Sequence, residues 1–298
     1  MKVIQQHIAH SITEPIRLQE YAVGLFQEIF TKSAVKKAIK KNQLQVNGKP
    51  TSTAYFIQNQ DIIQLLESIK STSKIYHLDL KVLYEDDFLA IVDKPAGISV
   101  SGNKFASIAN SLSPHISPSS QIDASLPFPV HRLDYPTSGC LMIGKTATAK
   151  RALHNLFENQ EIHKTYHAVC IGNMKENSGL IDFPIENKHA LTSFKLFQSI
   201  ISTRFDALNL VALHPITGRK HQLRQHLFHI GNPIMGDQQY FIPDKKHQGY
   251  GLYLHATSLE FTHPITSQKL RIQSDLPKKF TRLFPDFSSL KKDLKGFL

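Results

Sequence analysis

Apolar and polar positions divide the chain into a short first part and a long second part. Over 34–41, Ala34, Val35, Ala38 and Ile39 recur at helical spacing, and Lys36, Lys37, Lys40 and Lys41 fall on the other side. That predicts a helix with an apolar face for a core and a basic face for phosphates. Leu44-Gln45-Val46 predicts a strand, Asn47-Gly48 a tight hairpin turn, and 55–57 a second strand. Residues 1–15 read as a weakly ordered tail or an extra strand. The polar stretch 68–74 reads as a linker.

Beyond the linker, residues alternate in hydrophobicity on both sides of Glu85-Asp86-Asp87, which predicts two strands joined by a turn. The Ser- and Pro-rich stretch 111–125 reads as a mobile insertion. Over 146–160, Ala149, Ala152, Leu153, Leu156 and Phe157 predict an amphipathic helix. A second helix is predicted over 220–230, with Leu223, Leu227 and Ile230 as its buried stripe, Gly231 as its cap and Pro233 beyond. The remainder reads mostly as strands, without internal repeats. The resulting division is a small domain over 16–68, a connection over 69–78 and a large domain over 79–298.

The chain has 298 residues and 41% hydrophobic content, ordinary for a globular protein that divides into two domains. Its 35 Lys and Arg against 24 Asp and Glu leave a net charge of +11. That excess points to a polyanionic partner, nucleic acid ahead of an anionic membrane. Cys140 and Cys170 sit in apolar contexts and read as buried thiols, neither a bridge nor a metal pair. Residues 1–15 lack the apolar core of an export signal, and no run approaches the roughly 18 apolar residues a membrane span needs. The expected location is the cytoplasm, with no membrane partner.

One stretch concentrates the chemistry: His131-Arg132-Leu133-Asp134-Tyr135-Pro136-Thr137-Ser138-Gly139. Phe128 and Val130 precede it, and Leu141, Met142 and Ile143 follow, so it reads as a loop rising from buried strands. Alone, Asp134 reads equally as the start of an Asx-type turn before Pro136. Tyr166 alone reads as a core tyrosine and Arg224 alone as a surface charge. His214, His221, His226 and His229 do not place three rings on one helical face, and no Cys or acidic residue joins them. Stacking and hydrogen bonding to nucleic acid account for them better than a metal does.

His131-Arg132-Leu133-Asp134 followed by Thr137-Ser138-Gly139 resembles the RluA-like pseudouridine synthases. The resemblance extends in the family's order through the opening hairpin around Asp93-Lys94-Pro95-Ala96-Gly97 and through Lys164-Thr165-Tyr166-His167-Ala168-Val169. It continues through His214-Pro215-Ile216-Thr217-Gly218-Arg219-Lys220-His221-Gln222-Leu223-Arg224, then Asn232-Pro233-Ile234-Met235-Gly236-Asp237 and Leu254-His255-Ala256. Lys220 stands where a Thr is common, and Ile98-Ser99-Val100-Ser101 lacks a frequent His-Pro. The first domain resembles the α-L RNA-binding motif named after a small-subunit ribosomal protein, with Arg17-Leu18-Gln19-Glu20 in place of Arg-Leu-Asp-Lys.

The resemblance implies an α+β architecture: a catalytic domain with a mostly antiparallel mixed sheet flanked by helices, after a small N-terminal α/β RNA-binding domain. It implies isomerisation of specific uridines in structured RNA, rRNA or tRNA, by a catalytic Asp and base flipping, without cofactor or metal. RNA is then the partner, no obligate protein partner is required and the chain acts as a monomer. Asp134 becomes the catalytic carboxylate, acting as nucleophile on the sugar or as base. A carboxylate in an apolar pocket needs a cation to hold its charge, and Arg224 is the family's partner, able to grip it with two hydrogen bonds. Tyr166 packs on the target uracil. Arg132, two residues before the Asp, fills the gap the base leaves. Lys94 and Arg219 contact phosphates near the site, His131 joins the RNA contacts, and Lys36, Lys37, Lys40 and Lys41 bind RNA from the first domain. A hydrolase commonly needs two working carboxylates, and no second acidic residue is read as accompanying Asp134.

Overall fold

The computed structural model describes residues 2–26, 29, 31–67, 75–246, 249 and 251–285. The chain separates into two compact units, Met1–Ser73 and Lys74–Leu298.

The first unit contains β1 (Val3–Ile8), α1 (Leu18–Tyr21), α2 (Lys32–Lys40), β2 (Leu44–Val46), β3 (Lys49–Pro50) and β4 (Ile62–Leu66). Thr31 caps α2 by accepting from the Ala34 amide at 3.1 Å, so the helix starts ahead of the apolar pattern that predicted it. Val35, Ala38 and Ile39 are buried with Leu18, Leu44, Val46 and Ile63, whereas Lys36, Lys37, Lys40 and Lys41 are exposed. Residues 3–8 are the extra strand: β1 pairs antiparallel with β4 in the order β1-β4-β2-β3. The strand expected at 55–57 is reduced to a single antiparallel bridge, Phe56 to Arg17, flanked by the Leu18 amide on the Tyr55 carbonyl at 2.8 Å and the Ile57 amide on the Ile16 carbonyl at 3.0 Å. Asp61, buried, accepts from the Tyr55 hydroxyl at 3.1 Å and the Gln58 amide at 2.8 Å, so the chain curls there and extends only at β4.

The second unit contains β5 (Lys81–Glu85), β6 (Leu89–Lys94), β7 (Ala124–Pro129), β8 (Ser138–Thr146), α3 (Ala147–Glu158), β9 (His163–Ile171) and β10 (Ser178–Asp182). It continues with β11 (Leu191–Ser202), β12 (Asp206–Pro215), α4 (Gln222–His229), β13 (Leu254–Thr262), β14 (Lys269–Gln273) and α5 (Lys278–Leu283). One sheet runs β10-β11-β12-β9-β13-β8-β6-β5, with β14 on β13 and β7 on β8. Every pairing is antiparallel except the short parallel contact between β13 and β8, where His255 faces Ser138 and Ala256 faces Gly139. A Cβ on Gly139 would stand 2.1 Å from the Ala256 carbonyl oxygen, so the strand that leaves the 131–137 loop can only begin with glycine there. Leu141, Met142 and Ile143 are fully buried in β8, which makes that strand a rigid support.

Two connections differ from expectation. The 111–125 stretch is tied down: Leu112 and Ile116 are core residues, His115 Nε2 donates to the Leu78 carbonyl at 2.7 Å, and the Ser120 amide donates to Asp87 at 2.7 Å. Its polar composition serves the Glu85-Asp86-Asp87 turn. Of the expected connection, 68–74 lies outside the described residues, and Tyr76 and Leu78 pack on the second unit's core. That unit therefore begins before residue 79. Cys140 and Cys170 are both buried free thiols.

Candidate active site

Asp134 stands on a loop fixed from below. Leu133 is buried beside it, and the Thr137 amide donates to the Asp134 carbonyl at 3.0 Å, closing a turn with Tyr135 and Pro136 at its centre. Lys94 completes the support. Its side chain is fully buried, and its ammonium donates to the carbonyls of Pro95 at 2.9 Å, Tyr135 at 3.4 Å and Thr137 at 2.7 Å. Lys94 is therefore not a phosphate contact: its side chain is fully buried and all three protons are spent on main-chain carbonyls. Burial lowers its pKa to about 8, with the Asp134 charge pulling it back.

Arg224, on the first turn of α4, faces Asp134 with a single contact, Nη1 to Oδ2 at 3.3 Å. Its two-pronged grip goes to another residue. Nε donates to Asp237 Oδ2 at 2.6 Å and Nη2 to Asp237 Oδ1 at 2.8 Å, and the Asp237 side chain has no exposure. This corrects two expectations: the paired hydrogen bonds are not on Asp134, and a second acid does accompany it. Burial opposes the Arg224 charge, but Asp237 and then Asp134 outweigh it and hold the guanidinium above its ordinary pKa. A Cβ on Gly236 would stand 2.0 Å from the Gly251 carbonyl oxygen, so the bend that aims Asp237 inward requires glycine.

Asp134, Arg224 and Tyr166 line one cavity of about 440 Å³, together with Thr137, His221 and Leu254. Asp134 is the only carboxylate among the described residues that line it. Tyr166 stands on β9 opposite Leu213 of β12 and Ala256 of β13, half-buried against the core, and burial first, then the Asp134 charge, raises its pKa well above the ordinary tyrosine value. Arg132 and Arg219 are exposed on the cavity lining, and Arg219 Nε donates to the His189 carbonyl at 3.0 Å. Lys36, Lys37, Lys40 and Lys41 belong to the first unit.

His131 lines the cavity and is also tied to the protein. Its Nε2 accepts from the Met142 amide at 2.9 Å, and its ring lies 4.5 Å from that of Phe157. Burial lowers its pKa to about 3, so a neutral ring joins the loop to β8. The other histidines are also occupied within the protein. His214 Nδ1 lies 3.3 Å from the Thr165 hydroxyl, His226 Nε2 donates to the Phe183 carbonyl at 3.0 Å, and His229 stacks on Phe183 at 3.7 Å. Among the described residues no group of three His, Cys, Asp or Glu is placed to hold a metal. In the sequence Asp237 and Thr137 belong to motifs without roles of their own, and nothing there singles out Tyr240. The buried Thr137 hydroxyl has no hydrogen-bond partner and lines the cavity.

Residues 88–229 match the model of the RNA pseudouridylate synthase family. The chain is 31% identical over 308 aligned positions to an RNA pseudouridine synthase of Chlorobaculum parvum, covering 90% of this chain and 92% of the relative. It is 29% identical to ribosomal large subunit pseudouridine synthase C of Vibrio vulnificus, covering 85% and 87%. Against tRNA pseudouridine synthase C of Haemophilus ducreyi it is 34% identical, covering 70% and 96%. Among solved structures, human RNA pseudouridylate synthase domain containing 1 shares the fold, with a TM-score of 0.55 at 22% identity over 66% of this chain and 83% of that one.

Proposed function

The chain belongs to the RNA pseudouridylate synthase family and is an RNA pseudouridine synthase, an isomerase; within that activity we propose that Asp134 is the catalytic carboxylate. The reaction breaks the bond between the uracil nitrogen and the anomeric carbon, turns the base and joins carbon 5 to the sugar, with loss of the carbon 5 proton. It needs a carboxylate at the sugar face and a pocket that retains the detached uracil. The observation that carries the assignment is the solitary carboxylate on the cavity lining. Asp237 cannot serve as a second acid, because both its oxygens accept from Arg224. Asp134 acts either as nucleophile on the anomeric carbon or as base on a sugar proton.

Arg224 orients Asp134 through its single contact while Asp237 holds the guanidinium in place. Tyr166 packs on the flipped uracil, its phenol kept neutral by burial. Extracting the base leaves a gap in the RNA that Arg132, exposed and two residues from Asp134, can fill. Arg219 meets the backbone phosphates at the cavity mouth. The exposed lysines of α2 make the first unit an RNA-binding module of α-L type. The substrate is structured RNA, rRNA or tRNA, on which the relatives named above act. Among the described residues no helix is long and apolar enough to cross a membrane, and we place the enzyme in the cytoplasm as a monomer.

The test is release of tritium from carbon 5 of uridine in rRNA and tRNA transcripts. The wild-type chain should release label and Asp134→Asn should not, while both bind the transcripts alike. Turnover by purified Asp134→Asn overturns the assignment.

A further inference from the structure

Each oxygen of Asp134 faces a different nitrogen. Arg224 Nη1 is 3.3 Å from Oδ2, and His221 Nε2 is 3.7 Å from Oδ1. His221 precedes α4 at φ +54, the left-handed region that side chains other than glycine adopt at a cost. Its side chain makes no capping hydrogen bond to the helix. The conformation instead turns the ring to the cavity.

The far side of that ring is also held. His221 Nδ1 lies 3.1 Å from the Tyr240 hydroxyl. Tyr240 is fixed in turn: its amide donates to Asp237 Oδ1 at 3.1 Å, and the Arg224 guanidinium stands 5.0 Å from its ring centre. The Arg224–Asp237 pair thus supports both groups that face Asp134.

Burial lowers the His221 pKa, with Asp134 opposing and Arg224 and Lys220 reinforcing the shift. A neutral imidazole carries one proton, and an ionised carboxylate at Oδ1 places it on Nε2. Nδ1 then accepts from the Tyr240 hydroxyl.

We propose that His221 is a positioning residue for Asp134, its Nε2–H holding Oδ1 as Arg224 holds Oδ2, with the Tyr240 hydroxyl fixing the required tautomer. The proposal rests on the reading of Asp134 as the catalytic carboxylate. A carboxylate held at one oxygen can turn about its Cβ–Cγ bond; held at both, it presents a fixed plane to the sugar. The present 3.7 Å is longer than a hydrogen bond, and contacts of this kind shorten when substrate fills the site.

The experiment measures the single-turnover rate of tritium release at saturating transcript, and transcript affinity separately. His221→Asn suits the left-handed backbone but its amide is too short to reach Asp134. Its rate should fall on the order of 10²-fold with affinity unchanged, the loss that misplacement by about 1 Å produces. His221→Gln sets an amide N–H near the position of Nε2 and should recover most of the rate. Tyr240→Phe keeps its ring beneath Arg224 and should slow the wild-type chain, yet add nothing to His221→Asn.

A normal rate in His221→Asn beside an inactive Asp134→Asn overturns the role of His221 alone. Multiplying effects of His221→Asn and Tyr240→Phe overturn the linked chain. Turnover by Asp134→Asn overturns the underlying reading instead. If His221→Asn fails to fold, a normal rate in Tyr240→Phe with loss in His221→Gln overturns the proposal.

Discussion

Lys94 and Thr137 are 43 residues apart in sequence, yet the Lys94 ammonium donates to the Thr137 carbonyl at 2.7 Å. The end of β6 is thereby fastened to the loop that carries Asp134. The lowered pKa, about 8 against an ordinary 10.5, means that keeping this charge buried costs roughly 3 kcal/mol. Lys94→Met removes that cost but leaves carbonyls without a donor, each worth about 1–3 kcal/mol. The two effects partly offset. Stability in urea unfolding should fall by less than the sum of those carbonyl losses, whereas turnover should fall on the order of 10²-fold as Asp134 loses its placement. A variant with normal turnover would remove Lys94 from any role at the site.

The same shift predicts opposite pH trends for stability and activity. Between pH 8 and 10.5 the unfolded chain keeps the Lys94 proton that the folded chain has released, so this group's contribution to stability rises with pH there. Activity should fall over the same range, because deprotonation removes one donor of the staple and a positive charge near Asp134. The check is to compare wild type with Lys94→Met. Both the stability rise and the activity fall near pH 8 should be missing from the variant.

Arg224 has more contact with Asp237 than with Asp134, and two variants separate those roles. Asp237→Asn leaves a buried guanidinium half-paired, which should cost about 3–5 kcal/mol of stability. Arg224→Ala removes the one cation that both Asp134 and Asp237 face, so thermal unfolding should show a comparable loss and turnover should fall far more than RNA affinity. A phosphate contact would do the reverse, weakening affinity and flattening its salt dependence. Equal affinity and salt slope in wild type and Arg224→Ala supports the positioning role; a flattened slope refutes it.

The sequence made the frame of this site readable, but not its internal wiring. Leu141, Met142 and Ile143 announce a buried strand, and 149–157 announce a helix, because periodicity records which face meets a core. The motif order places Asp134, Tyr166 and Arg224 together for the same reason that a fold does. Hydrogen-bond partners leave no such trace. Lys94 looks like a phosphate ligand until three carbonyls surround it. That the Met142 amide takes an acceptor nitrogen of His131 is likewise invisible in the chain. Ser- and Pro-rich composition at 111–125 says loop, and only the fold brings Asp87 and Leu78 within reach of it. Tyr55 and Ile57 suit a strand locally and pair with 16–18, but Asp61 takes the Gln58 amide and the extension stops there.

The first unit should prove separable from the chemistry. Its core, drawn from Ala9 to Leu65, and the cores of Lys74–Leu298 share no residue. A shortened chain beginning at Ile75 should therefore fold, and it retains every residue that lines the 440 Å³ cavity. It gives up Lys36, Lys37 and Lys40, exposed on α2, and Lys41, exposed at its C-terminal cap. If each meets a phosphate, the slope of log affinity against log salt should become shallower by about 0.7–0.9 for every phosphate no longer neutralised. RNA binding should weaken at low salt, and tritium release should persist at saturating transcript. An unchanged slope would make the lysines a solvated face. A folded shortened chain that cannot turn over at saturating RNA would mean that the first unit helps assemble the catalytic complex.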